Sequence, residues 1–146
     1  MIDITYDRTE KTYKWTDPNS GEVLTAPARQ KESLFRAAVG ILDPELTAAA
    51  EDIIKRHPQL ERVTWKAVSL VAHDMIEVFP APRSGVVAMV ASSDEFGRYA
   101  VEQTAHGLTC QCVHFQDGYA PLIESGSRYC KHLIAYRLWL IVRAEW

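Results

Sequence analysis

The fold of this chain can be predicted from residues 110–132, CQCVHFQDGYAPLIESGSRYCKH. They contain all three cysteines, arranged as Cys110-Gln-Cys112 and, after seventeen intervening residues, Cys130-Lys-His132. Three thiolates and one imidazole form a ligand set that suits tetrahedral zinc. The sequence therefore predicts a metal site with Cys110, Cys112, Cys130 and His132 as ligands and Zn²⁺ as the cofactor.

The spacing within each pair of ligands predicts the local structure around them. On a flat strand, residues two apart point the same way, but the sulfurs of Cys110 and Cys112 must converge on one ion, which favours a kinked strand end or a tight turn at Gln111. In a regular helix, residues two apart lie about 200° apart, so we expect Cys130 just before a helix and His132 in its first turn. The amino end of that helix then stabilises thiolate charge, and the bound ion contributes to folding. The predicted zinc is structural.

Two other histidines are alternatives to His132 as the fourth ligand. His114 is the main substitute for His132 because it lies close to Cys112 in sequence, and His106 is a weaker substitute. His57 and His73 lie in helical contexts far from the cysteines, and we assign them no role. Any single cysteine can be an ordinary buried thiol, but three cysteines placed this closely favour a metal site.

A catalytic role for Cys130 and His132 as nucleophile and base is disfavoured. Such a cysteine needs an imidazole within hydrogen-bonding reach and a third group that orients it, whereas two more cysteines nearby favour a closed metal site. The chain also lacks a Walker-type phosphate loop and the glutamate of the zinc deaminases. We therefore expect no enzyme activity and see no evident small-molecule substrate.

The sequence on either side of the ligands indicates a hairpin and a helix. Val86–Val90 and Tyr99–Thr104, on either side of a turn at 94–97, predict a β-hairpin, and Leu133–Val142 predicts an apolar helix. The segment 80–85 is rich in proline and cannot continue a helix. We therefore place a domain boundary after residue 84, with a zinc-finger domain at 85–146.

The N-terminal part, residues 1–84, is predicted to be a helical region with a short hairpin, and its role is unknown. Turn-forming residues at 16–21 lie between two short β-type segments, which indicates the hairpin. Three helices follow in the prediction: an apolar stripe at 34–42, a helix that opens at Asp43-Pro44 and ends near His57, and an amphipathic helix from Leu60 to Val78. The predicted fold class is α+β.

The arrangement of the ligands resembles that of a known zinc module. Cys-x-Cys followed by Cys-x-His, with a strand before and an apolar helix after, resembles the SWIM-type zinc finger. The resemblance covers residues within 85–146 and none of 1–84. It implies a zinc-bound module of ββα type, found in helicase-like ATPases, transposases and recombination factors with DNA-binding and protein-binding roles.

Charge limits how this chain can contact nucleic acid. Its 16 basic and 19 acidic residues give a net charge of −3, which argues against a broadly basic surface. Any contact must be local, and Arg128, Lys131 and Arg137 near the ligands are the candidates, although these charges can equally be ordinary solvated groups. The leading hypothesis is a nucleic-acid-binding factor in DNA processing. The alternative is a protein–protein interaction adapter in a DNA recombination, repair or transcription complex.

The predicted compartment follows from apolar segments and cysteine use. No apolar stretch approaches the roughly 20 residues that a membrane-spanning helix needs, so we expect no membrane partner. The first residues show no basic segment followed by an apolar one, and three cysteines cannot all pair into disulfides. We therefore expect a soluble protein of the reducing cytoplasm.

Overall fold

The computed structural model describes residues 2–91 and 97–144, and it confirms the α+β class. The chain forms two compact units, Met1–Ala48 (the first unit) and Ala49–Trp146 (the second unit). The elements are β1 (Thr5–Asp7), β2 (Thr12–Thr16), β3 (Val23–Pro27), α1 (Lys31–Leu42), α2 (Pro44–Arg56), a 3-10 turn (Pro58–Leu60), α3 (Glu61–Ala72), β4 (Ile76–Arg83), β5 (Val86–Ala91), β6 (Arg98–Thr104), β7 (Gly107–Cys110), α4 (Val113–Gln116) and α5 (Lys131–Val142).

The first unit is a three-stranded antiparallel sheet, in the order β1-β2-β3, covered by α1. The predicted hairpin is confirmed as β2 and β3. In its turn, Asp17 accepts hydrogen bonds from the Asn19 amide at 2.9 Å and the Ser20 hydroxyl at 2.8 Å, and Gly21 adopts a φ of +76°. Trp15 and Leu34 are buried, so the sheet and helix share a core.

The first two predicted helices are confirmed as α1 and α2. The carboxylate of Asp43 accepts a hydrogen bond from the Leu46 amide at 3.2 Å, which satisfies a free donor at the start of α2. The helix ends at Arg56, before Pro58, as predicted. Among the helices that the structure describes, none has the length and apolar character that crossing a membrane requires.

The third predicted helix is wrong at its carboxyl end. The apolar spacing predicts a helix as far as Val78, but α3 ends at Ala72 and the chain reverses at Asp74, which has a φ of +53°. Ile76 and Val78 belong instead to strand β4, where they pair with Val90 and Ala88 of β5. β-branched residues favour a strand, and prolines are tolerated in β4 because it lies at the edge of its sheet.

The second unit is built on a four-stranded antiparallel sheet in the order β4-β5-β6-β7. The predicted hairpin of β5 and β6 is confirmed, while its predicted turn at 94–97 lies, except for Gly97, outside the described residues. The boundary expected between 1–84 and 85–146 falls in the turn that joins β4 to β5, inside this unit. The separate roles expected for those two segments stay a prediction.

Helix α5 forms the centre of the second unit. It packs against α3 and against β4, β6 and β7, which brings its first turn to the end of the sheet where β7 stops. Four of its apolar side chains are fully buried: Leu133, Ile134, Ala135 and Leu138. Burial on most of its faces explains why the helix is apolar over nearly its whole length.

Candidate metal centre

The four predicted ligands come from three adjoining elements. Cys110 is the last residue of β7, Cys112 directly precedes α4, Cys130 directly precedes α5, and His132 lies in the first turn of α5. Cys112 and Cys130 have extended backbones, with ψ of 154° and 169°. The chain bends at Cys112, two residues after the end of β7, and Cys130 and His132 lie where the spacing predicted them.

The ligand atoms of these residues are close enough to share one ion. They all lie within 4.8 Å of one another, and Cys110 Sγ is 3.7 Å from His132 Nδ1. Tetrahedral zinc bonds place two sulfurs about 3.8 Å apart and a sulfur and a nitrogen about 3.6 Å apart. All four side chains are between 1% and 4% exposed. The arrangement can bind a metal ion.

Backbone amides point at the sulfurs of this cluster. The amide of Cys112 donates a hydrogen bond to Cys110 Sγ at 3.5 Å. The amides of Phe115 and Leu133 hydrogen bond to the sulfurs of Cys112 and Cys130, respectively. Each of the three sulfurs thus accepts a backbone hydrogen bond, which stabilises a thiolate more than a thiol.

The proton equilibria of the three thiols are linked. Hydrogen bonds from Cys110 and Cys130 hold the pKa of Cys112 far below its usual value. The hydrogen bond to Cys112 raises the pKa of Cys110 far above its usual value. For Cys130, the hydrogen bond with Cys110 lowers the pKa, but the one with Cys112 and burial raise it, to about 11. Deprotonation of one thiol therefore opposes deprotonation of its neighbours, and a cation at the centre of the cluster would stabilise all three thiolates.

The segment between the two ligand pairs, residues 113–129, is called the inter-ligand loop here, and side chains fix its course. Arg128 Nη1 donates a hydrogen bond to the carbonyl of Ala120 at 2.8 Å, and Gln116 Nε2 donates to the carbonyl of Cys110 at 2.7 Å. The amide of Tyr129 donates to the carbonyl of Pro121 at 2.9 Å. The loop therefore folds back on itself beside the cluster.

The three predicted nucleic-acid contacts differ in their surroundings. Arg128 is half-buried and bonded to the loop carbonyl of Ala120. Lys131 is a half-buried residue in the first turn of α5. Arg137 is exposed, and its guanidinium lies 5.1 Å from the centre of the Tyr129 ring. Of the three, Arg137 offers the most accessible charge.

The alternative histidine ligands lie outside the cluster. His114 is exposed on α4, and His106 is exposed in the turn before β7. His57, which received no role, has its Nδ1 2.9 Å from Glu124 Oε2 in the inter-ligand loop. Within residues 2–91 and 97–144, the only group of three or more cysteine, histidine or acidic side chains able to share an ion contains His132.

Tyr99 is a residue of this site that the sequence did not reveal. Its ring packs against the imidazole of His132, with ring centres 5.0 Å apart and planes tilted by 56°. The strand register explains this contact: Val101 of β6 lies opposite Cys110, and Tyr99 is two residues before Val101 on the same face. The alternation of side chains along β6 indicates that Tyr99 and Val101 share a face, but only the pairing of β6 with β7 shows that this face lies at the cluster.

Comparison with known proteins adds no family to this geometry. No protein-family model, curated protein or solved structure matches the chain. The resemblance to the SWIM-type finger therefore stays a prediction from the ligand spacing. Metal binding is supported by the buried cluster of Cys110, Cys112, Cys130 and His132 itself.

Proposed function

We propose that this protein is a non-catalytic binding protein whose second unit is held in shape by a structural zinc ion. The observation that carries the proposal is the buried set of three sulfurs and one imidazole within 4.8 Å. Thiolates and imidazole favour zinc over magnesium or calcium, which prefer oxygen ligands. An iron–sulfur cluster would hold its cysteines farther apart, because sulfide ions lie between the iron atoms.

The character of the site supports a structural role and the absence of catalysis. Four protein ligands complete a tetrahedral shell, so no coordination position is left for water or substrate. The ion would connect the end of β7, the inter-ligand loop and the start of α5. The Cys-x-Cys and Cys-x-His spacing, with a strand before and a helix after, supports assignment of the module to the SWIM type.

Exposed apolar side chains support docking of a partner protein on the inter-ligand loop. Four large apolar side chains in the described part of the second unit are strongly exposed: Val113 at 58%, Tyr119 at 75%, Leu122 at 46% and Ile141 at 64%. Three of them belong to the loop. Exposed apolar and aromatic groups concentrated in one segment are typical of protein interfaces. We therefore favour an adapter role.

Nucleic-acid binding is a second candidate, supported by the pair that Tyr129 and Arg137 form beside the metal centre. An exposed guanidinium can contact phosphate, and a tyrosine ring can stack on a base. Arg128 supports this candidate less well, because Nη1 is already bonded to Ala120. Residues 105–144 contain four basic and two acidic side chains, so a local contact is compatible with the acidic chain as a whole.

The adapter role is tested by affinity purification from the source cells with a loop variant, Tyr119→Ser with Leu122→Ser. Ile141→Ser is the matched control, since it removes an equally exposed apolar side chain outside the loop. We expect the same proteins to co-purify with wild type and control and to be lost with the loop variant. Retention of those proteins by the loop variant would contradict docking on the loop.

Nucleic-acid binding is tested by fluorescence anisotropy with single-stranded and duplex probes at two salt concentrations. The candidate requires binding that weakens with salt and that Arg137→Ala reduces, while Arg62→Ala, an exposed arginine on α3, leaves it unchanged. Absence of binding at low salt would reject this candidate and leave the adapter role standing.

A further inference from the structure

The orientation of the His132 ring determines which of its two nitrogens meets the ion. We infer that His132 binds the metal through Nδ1, with the proton on Nε2, and that Tyr99 positions the ring by packing against it. This inference rests on the proposed zinc site, and it goes beyond the identity of the ligands to their bonding atom. It also assigns a role to Tyr99, which is not itself a ligand.

The distance from His132 Nδ1 to Cys110 Sγ distinguishes the two nitrogens. That distance is 3.7 Å. A sulfur and a nitrogen bonded to one tetrahedral zinc ion lie about 3.6 Å apart. If Nε2 were bonded instead, Nδ1 would lie on the far side of the ring, about 4 Å from the ion and about 5 Å from each ligand sulfur. The observed distance therefore fits bonding through Nδ1.

The course of the chain agrees with this assignment. Cys130 immediately precedes α5, and His132 follows two residues later in the first turn. The ion must approach the backbone closely enough for the short side chain of Cys130 to reach it. Nδ1 is nearer to the backbone than Nε2, so it suits an ion that a neighbouring cysteine also binds.

The other nitrogen is left in an unusual environment. His132 is 3% exposed, and its Nε2 has no hydrogen-bond partner among the described residues. An imidazole bonded to a metal usually donates its second N–H to a carboxylate, carbonyl or water, which fixes the ring. Here the described side chain in ring contact with the imidazole is Tyr99. Packing against an aromatic ring therefore takes over the task that a hydrogen bond usually performs.

Cadmium-113 in place of zinc provides a direct test by NMR. Bonding through Nδ1 puts the metal three bonds from the ring proton Hε1 and four bonds from Hδ2, so we expect coupling to Hε1 alone. Bonding through Nε2 puts both protons three bonds away. If cadmium binds but couples to both protons or to neither, the inference is overturned and the proposed metal site still stands. Failure to bind cadmium would overturn the proposed function as well.

The role of Tyr99 is tested by two substitutions in the full chain. Tyr99→Phe keeps the ring, so we expect zinc affinity and the coupling pattern to match wild type. Tyr99→Leu removes the ring contact, and we expect zinc affinity to fall about tenfold, as for loss of other groups that orient metal ligands. Competition with a chromophoric chelator measures the zinc affinity of both variants, and cadmium-113 NMR measures the coupling pattern. Equal affinities for Leu and wild type, or equal losses for Phe and Leu, would overturn the positioning role.

Discussion

Removal of the metal ion should unfold the second unit and leave the first unit folded. The perturbation is either a strong chelator or the substitution Cys130→Ser, which removes a ligand at the start of α5. Because α5 packs against α3 and the sheet, loss of its anchored first turn exposes much of the core of this unit. The unit Met1–Ala48 has its own sheet, helix and buried side chains, so it should persist.

The expected size of the effect follows from the two free energies involved. Binding of structural zinc contributes about 10–16 kcal/mol in zinc-finger peptides near pH 7. Whole domains are stable by only about 5–15 kcal/mol. Removal of the ion would therefore cost a free energy comparable with the whole stability of a unit of this size. Without a cation, the buried Cys110 and Cys130 would also keep their protons, which adds no compensating stability.

Hydrogen exchange followed by mass spectrometry measures this effect segment by segment. We expect amides of α5 and β7 to lose protection in chelator and in Cys130→Ser, while amides of β2 and β3 keep theirs. Restoring zinc should restore protection in the chelated wild type but not in the variant. Full protection of α5 after complete metal removal would refute the reasoning.

Three other predictions concern single side chains. His132→Gln should lower zinc affinity at least tenfold in competition with a chelator, whereas His114→Gln, which changes an exposed histidine on α4, should leave it unchanged. Leu138→Ala should lower the free energy of unfolding by about 2–5 kcal/mol because Leu138 is fully buried, whereas Ile141→Ala should change it by less than about 0.5 kcal/mol. Denaturant titration measures both free energies, and equal effects of the two substitutions would contradict the packing of α5. Hydrogen bonds from Asn19 and Ser20 lower the pKa of Asp17, so the stability that Asp17 contributes to the first unit should be present above its usual pKa of 3.8 and be lost as the pH falls through the lower folded value. In an acid titration of unfolding, Asp17→Ala should lack this pH-dependent loss of stability. An acid transition identical to that of the wild type would contradict the prediction.

The metal cluster could be predicted from sequence because its information is local. Cys110-Gln-Cys112 and Cys130-Lys-His132 each place two ligands within three residues, so only the approach of one pair to the other had to be inferred. The helices α1 and α2 and both predicted hairpins were also found, because apolar spacing and turn-forming residues mark them directly. These features need no knowledge of distant contacts.

The features that sequence missed depend on pairing between distant segments. Val71, Met75 and Val78 fit helical spacing, but Asp74 reverses the chain and β4 is stabilised by pairing with β5. The role of Arg128 as a nucleic-acid contact stays a prediction, but the bond of its guanidinium to a carbonyl eight residues away could not be predicted from sequence. Neither the turn after α3 nor the path of the inter-ligand loop has a periodic signature, so only the folded chain reveals them.

Metal analysis of the purified protein, combined with X-ray absorption at the zinc edge, tests the central claim most directly. We predict one zinc ion per chain, with three sulfur neighbours at about 2.3 Å and one nitrogen neighbour at about 2.0 Å. The claim would be contradicted by protein that folds and shows normal amide hydrogen exchange without bound metal. It would also be contradicted by a bound ion surrounded only by oxygen and nitrogen.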